Sequence, residues 1–164
     1  MIYESEKYHN VVFVGYDLKG KPRHANKRGI GKENTYKGNA PGSKPEYSFH
    51  WNGTNDKIYL FEAPIDMLSY ISMNKENWEQ NSYAASCSVS DRVLFQCLKD
   101  NPNIQKVYLC FDNDKPGQEA AKKISDKLFK ENITAEILIP IHKDWNEDLK
   151  FQKQEDNQWE MQLC

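Results

Sequence analysis

The stretch FDNDKPGQEAAKKI, residues 111–124, sets two carboxylates, Asp112 and Asp114, one residue apart, between an apolar run and a segment of helical character. Like charges held that close repel, so the pair needs open solvent or a cation. Two uses fit. An Asp ahead of a helix caps its free amide groups. Alternatively, a few hard carboxylate oxygens on an open rim hold Mg²⁺, which keeps several of its waters. A calcium loop starting at Asp112 fails, because its fifth and twelfth positions are Pro116 and Lys123. The phosphate-cradling pattern GxxxxGK[ST] does not occur in the chain. A third acid, Glu62, directly follows the apolar run KIYLF, fifty residues before Asp112.

The elements that must position these acids follow from periodicity. KIYLF (57–61) reads as a short buried strand, SYAASC (82–87) as a weaker strand and KVYLCF (106–111) as the strongest, and AEILIP (135–140) closes the series. Between them lie three amphipathic stretches. PIDMLSYISMN (64–74) has a proline suited to a first helical turn and Ile65, Met67, Leu68 and Ile71 for an inner face. SDRVLFQCLKD (90–100) reads as a capped helix with Val93, Leu94, Cys97 and Leu98 in register. GQEAAKKISDKLFKEN (117–132) carries Ala121, Ile124 and Leu128 at helical spacing. This alternation predicts an α/β fold, a mainly parallel four-stranded sheet with helices on both faces, joined by right-handed crossovers. Ligands bind such sheets beyond the carboxyl ends of the strands. Glu62, Asp112 and Asp114 therefore converge if their strands are neighbours. The helix after DNDKPG would aim its amino end at the same rim, which favours a phosphate.

Ahead of this series, VVFVGY (11–16), a DLKGK turn, a run at 22–28 and EYSFHW (46–51) read as a small β-rich subdomain. The expected organisation is a basic β-rich subdomain at 1–55, an α/β domain at 56–150 and a tail at 151–164. At 164 residues the chain suits one such unit rather than a two-domain enzyme. Four cysteines without a CxxC pair read as reduced thiols. Neither a signal-peptide core nor a run of about 18 apolar residues occurs, so a cytoplasmic protein that does not enter a membrane is expected. Net charge is only −2, but residues 19–44 hold eight Lys or Arg against the single acid Glu33, a local +7 that leaves −9 elsewhere. A basic lobe on an acidic body fits a polyanion such as DNA, with Arg23, Lys27, Arg28 and Lys44 as candidate phosphate contacts. A solvated, glycine-rich loop explains the same charges.

YLFEAPIDMLSY followed by VYLCFDNDKPGQEAAKKI resembles the two signatures of the Toprim fold, a strand-end Glu in an EGxxD-like turn and a strand-end DxDxxG. Bacterial DNA primases, type IA and type II topoisomerases, recombination mediators and small nucleases share that fold. The segments FEAPID, LCFDNDKPG and KDWNEDL are most similar to primase-like Toprim proteins of bacterial mobile elements. The resemblance spans 57 to about 150 and extends weakly over GYDLKGKPRHANKRG and GSKPEYSF. It implies Glu62 as general acid/base and metal ligand, with Asp112 and Asp114 holding Mg²⁺ or, alternatively, Mn²⁺. Asp66, Lys115, Lys143, Asp144 and Asn146 are implied as supporting residues near the rim. Primase-like nucleotidyl transfer on DNA, with nucleotides as further ligands, is the implied activity. A Toprim nuclease and a non-catalytic DNA-binding or docking module are the alternatives. Three departures matter: Ala63 stands where the pattern has Gly, CSVS lacks a Gly after the second strand, and the zinc ribbon of primases is missing from this sequence. Further domains of a longer parent protein are among the partners this resemblance leaves open.

Overall fold

The computed structural model describes residues 1–31, 35–87 and 90–162, with side chains to 155. Two sheets divide the chain. The first is an antiparallel meander of β1 (Ile2–Glu4), β2 (Val11–Tyr16), β3 (Pro22–Arg28) and β4 (Lys37–Asn39), in that order. In β2, alternation turns Phe13 and Gly15 inward and leaves the residues between them half-exposed.

The second sheet has five strands: β5 (His50–Trp51), β6 (Lys57–Phe61), β7 (Ser82–Ala85), β8 (Lys106–Cys110) and β9 (Thr134–Ile137), ordered β5-β7-β6-β8-β9. The four expected strands are present and mutually parallel. A short fifth, β5, adds antiparallel to β7, although EYSFHW reads in sequence as part of the amino-terminal lobe. Two residues are too few for a periodic signal.

Helices α1 (Pro64–Met73), α2 (Arg92–Asp100), α3 (Lys115–Lys130) and α4 (Trp145–Gln162) cover both faces. Ile58, Leu60, Ala84, Val107 and Leu109 pack with Val93 and Leu94 of α2 and with Ala121, Ile124 and Leu128 of α3. On the opposite face Phe61, Tyr83, Ala85 and Cys110 meet Met67 of α1, Trp145 of α4, and Phe13 and Phe49 from the amino-terminal lobe. Three details differ from expectation. In α1 the most buried residues are Pro64, Asp66, Met67 and Ser69, with Ile65, Leu68 and Ile71 only partly buried, because α4 lies against this helix. Among the described residues the Asp91 side chain makes no capping hydrogen bond to α2 and instead pairs with Lys127 of α3 at 2.5 Å. Helix α4 continues through position 150, where a tail was expected, to Gln162. Among the described residues Cys87, Cys97 and Cys110 are free thiols, and no helix is long and apolar enough to cross a membrane.

The lobes are clamped together. Phe13 meets Phe49 edge-on at 5.3 Å, the Ser48 hydroxyl donates to the Ala85 carbonyl, and Ala85 N–H donates to the Phe49 carbonyl at 2.9 Å. Gly15 permits this approach, since a Cβ there would run into the Tyr47 carbonyl and stand 2.6 Å from that of Ser48. Backbone cannot swing aside as a flexible side chain can. Gly15→Ala is therefore expected to destabilise the protein by about 3 kcal/mol, read as a lowered denaturant midpoint, with both lobes unfolding less cooperatively.

Candidate functional site

The parallel register sets Phe61 beside Cys110 on one side and Ala85 on the other, so β6, β7 and β8 end level. Glu62 and the 111–114 turn consequently leave the sheet side by side. Glu62 is anchored through its backbone: its carbonyl accepts Cys87 N–H at 3.0 Å and the Ser86 hydroxyl at 3.2 Å. Ala63 precedes α1 with φ −130°, an extended conformation open to any residue, so alanine in place of the pattern's glycine introduces no strain.

The two aspartates divide the roles that their spacing left open. Asp114 caps α3, accepting Gly117 N–H at 2.8 Å. Among the described residues Asp112 caps nothing, and its buried Oδ1 meets no hydrogen-bond partner. Its backbone is held tightly instead, with its carbonyl accepting the Gln118 side-chain amide at 3.0 Å and lying where a Cβ on Gly117 would come within 2.5 Å. Asn113 joins this turn to the one before α4 by donating to the carbonyls of Lys143 (2.8 Å) and Pro140 (3.2 Å). The Trp145 indole donates to the Cys110 carbonyl at 3.0 Å.

Segment 143–146 therefore does reach the rim. Asp144 caps α4 by accepting Glu147 N–H at 2.8 Å, and Asn146 donates its backbone N–H to Asp66 at 3.3 Å. Asp66, one of the implied supporting residues, is a buried link between α1 and the amino end of α4. Lys115 is exposed at the start of α3.

These acids share one field. Burial, then the Glu62, Asp66, Asp144 and Asp114 carboxylates, push the Asp112 carboxyl up to about 7. Burial and Asp144 push Asp66 up to about 6, against the pull of the Asn146 amide and Arg28. Glu62 is raised by burial and by Asp114, and moderated by Lys37 and Lys143. Among the described residues no three metal-binding side chains already surround one point. The acids form an open rim rather than a closed cage. Mg²⁺ fits such a rim, because it binds through one or two carboxylates and completes its shell with water and substrate phosphates. The unpartnered buried oxygen of Asp112 is the group it would satisfy.

The basic candidates do not form one patch. Arg28 lines a pocket of about 220 Å³ with Asn26, Lys37, Glu62, Ala63 and Cys87. Lys27 projects to the opposite face of β3, since successive strand residues alternate, and lines a groove with Tyr8 and Tyr36. Arg23 pairs with Asp17 at 3.4 Å and lies over the Tyr47 ring, at the far end of β3. Lys44 is joined to Arg23 through the backbone, at 2.9 Å. Sequence reasoning missed Lys37, whose backbone pairs with Arg28 across β3 and β4 and which thereby faces Glu62. It was one of eight basic residues, and only the strand register singles it out. Lys32 and Glu33 of the basic segment, Ser88 and Val89 of CSVS, and the last two residues lie outside the described residues.

Comparison with known proteins agrees with this fold. Residues 59–149 match the Toprim-like family, and residues 1–55 match a family described as a protein of unknown function (DUF3991). An uncharacterized protein of Bacillus anthracis is 26% identical over 141 residues, 79% of this chain and 41% of that protein. One of Mycoplasma genitalium is 28% identical over 95 residues, 57% of this chain and again 41% of the relative. The chain thus spans well under half the length of the curated relatives it matches. The primase fragment of the bacteriophage T7 primase-helicase superposes with TM-score 0.67 at 17% identity, covering 99% of this chain and 66% of that one. A DnaG primase catalytic domain bound to single-stranded DNA gives 0.65 at 13% identity, covering 99% and 56%. At these identities the likeness establishes the fold.

The crowded carboxylates have a measurable consequence without divalent ions. A carboxyl raised above its unfolded value keeps its proton in the native state while the unfolded chain has lost it. Stability is then greatest below about pH 4 for that group and declines as pH rises to about 7. With EDTA present, Asp112→Asn should remove much of this decline and stabilise the protein at pH 8 by about 1–2 kcal/mol, a figure reduced for the open, half-solvated rim. Denaturant melts at pH 5 and pH 8 measure it. Equal pH dependence in the two proteins would refute the shared field.

Proposed function

This chain belongs to the Toprim-like family, and from that premise we propose that it is a Mg²⁺-dependent nucleic-acid-processing module, with primase-like nucleotidyl transfer as the activity that its site supports best. The buried, unpartnered oxygen of Asp112 among four other carboxylates carries the proposal. Such a group is stable at neutral pH only if it is protonated or meets a cation.

Asp112 and Asp114 would hold the ion, with Glu62 as an adjoining ligand or proton carrier. When bound, Mg²⁺ supplies charge neutralisation on the reacting phosphate and lowers the pKa of an attacking oxygen. The chain's residues do the rest. Glu62, raised toward neutrality by burial, is suited to take and return a proton. Arg28 and Lys37 face it across the pocket and would hold a phosphate oxygen against the rim. Asp114 keeps α3 capped, and so keeps that helix's amino end aimed at the same space. Asp66 and Asp144 fix α4 and hold Lys143 close enough to act on Glu62. DNA is the proposed polymer and nucleotides the second substrate class.

Calorimetric titration with Mg²⁺ or Mn²⁺ should show binding that is lost in Asp112→Asn/Asp114→Asn. Primer synthesis on a single-stranded template should fall by at least about a hundredfold in Glu62→Gln, the scale of a lost acid/base. Arg28→Ala/Lys37→Ala should weaken DNA binding and reduce the slope of log affinity against log salt by roughly 1.4, about two single-strand phosphate contacts. Retained ion binding in the double aspartate variant would sink the site assignment.

A second reading rests on the open geometry of the acids, no three of which, among the described residues, surround one point. In it the scaffold binds or docks DNA without turnover. Tight DNA binding with neither synthesis nor nuclease activity in Mn²⁺ would select it.

A further inference from the structure

The opposite face of the amino-terminal sheet holds a groove of about 960 Å³, lined by Ser5, Glu6, Lys7, Tyr8, Asn10, Lys27 and Tyr36. Its construction is specific. The β1–β2 connection is closed by Ser5 N–H to the Asn10 carbonyl and His9 N–H to the Ser5 carbonyl, both 2.9 Å, with His9 in the left-handed region at φ 51°. That tight turn lifts Lys7 and Tyr8 above the sheet, where the Lys7 ammonium sits 4.9 Å from the centre of the Tyr8 ring. On the other wall Tyr36 lies over Gly38, whose missing Cβ would stand 2.9 Å from its hydroxyl. Gly38 is the register partner of Lys27, so Tyr36 and Lys27 occupy the same face. Tyr8 is 62% exposed and Tyr36 49%, so both rings reach solvent beside lysines in one groove.

The groove and the acidic rim have a smaller pocket between them, which shares lining residues with both. A smaller pocket of about 190 Å³ contains Arg28 and Lys37, which line the Glu62 pocket, and Tyr36, which lines the groove. Basic and aromatic groups thus run from the rim, around the edge of the β3–β4 pair, to the outer face. Exposed rings offer π-faces to unpaired bases, and lysines beside them meet the phosphates between. A duplex buries its base faces in its own stack and cannot use such rings.

We propose that this outer groove is a binding path for single-stranded nucleic acid, stacking bases on Tyr8 and Tyr36 with Lys7 and Lys27 on the backbone, and feeding the strand past Arg28 and Lys37 to the rim. The ligand class rests on the nucleic-acid reading above, whereas the site is separate from the acids.

Anisotropy of a labelled oligothymidylate of about 16 nucleotides, measured in EDTA so that the rim holds no ion, tests the groove by itself. Affinity should fall about tenfold or more in Tyr8→Ala/Tyr36→Ala and be kept in Tyr8→Phe/Tyr36→Phe, where the rings remain. Ion binding should be unchanged in both. As a check that needs no variant, iododeoxyuridine-substituted strand irradiated with the wild-type protein should cross-link to peptides containing Tyr8 or Tyr36. Cross-links confined to rim peptides, unchanged affinity in the alanine pair, or equal affinity for a duplex would each overturn the groove. Loss of ion binding in Asp112→Asn/Asp114→Asn with intact oligonucleotide affinity supports both sites independently. Ion binding that survives there removes the rim reading and leaves the groove standing on the tyrosine variants.

Discussion

The level ending of β6 and β8 is the constraint from which the candidate site follows. Parallel pairing fixes Phe61 opposite Cys110, and the next residue on one strand is Glu62 while Asp112 follows one further step along the other. A slip of one residue would exchange the two faces of a strand, turning Ile58 and Leu60 toward the aromatic side and Tyr59 and Phe61 toward the α2–α3 side. Both faces are packed, with Tyr59 stacked on Tyr108 at 4.6 Å and near Tyr83 at 5.3 Å, so the register is held from both sides of the sheet. Placement of the acids is therefore a by-product of core packing rather than of any contact between the acids themselves.

What the acids do to each other is unfavourable, and the surrounding structure tolerates it by restraint. The Asp112 turn is pinned by Gln118, by the close approach of Gly117, and through Asn113 to the segment before α4. Trp145, nine-tenths buried, ties α4 to the end of β8 and meets Tyr70 of α1 edge-on at 4.9 Å. Three elements distant in sequence thus hold one charged turn in place. Groups kept in such a state favour binding over stability, the usual arrangement at functional sites.

The amino-terminal sheet completes the electrostatics. Without it the rim would have Lys143 but neither Arg28 nor Lys37. Its docking depends on Gly15, on the Phe13–Phe49 contact, and on the way the chain passes from Ser48 into β5, which pairs at the edge of the second sheet. His24, on the inner face, is buried with neither ring nitrogen hydrogen-bonded among the described residues, and burial lowers its pKa against the pull of Glu46. The basic lobe is consequently part of the site's architecture, with one face toward the acids and the other toward solvent.

The amino-acid sequence by itself determined what depends on short spans. The apolar runs gave four strands, the 3.6-residue periods gave the helices of the α/β series, and Glu62, Asp112 and Asp114 were legible as strand-end acids because a strand end is a local event. Tertiary structure decided the rest. Whether Asp112 or Asp114 caps α3 depends on hydrogen-bond geometry that one residue of spacing cannot express. That Asp66 lies buried against the start of α4, eighty residues away from its partner Asn146, depends on how two helices pack. That Arg28 and Lys37 face Glu62 while the adjacent Lys27 faces away depends on strand register and on lobe docking, neither of which leaves a periodic trace in composition or charge. Contacts between residues near in sequence are encoded in the order of residue types, whereas contacts between distant ones exist only once the core has chosen its packing.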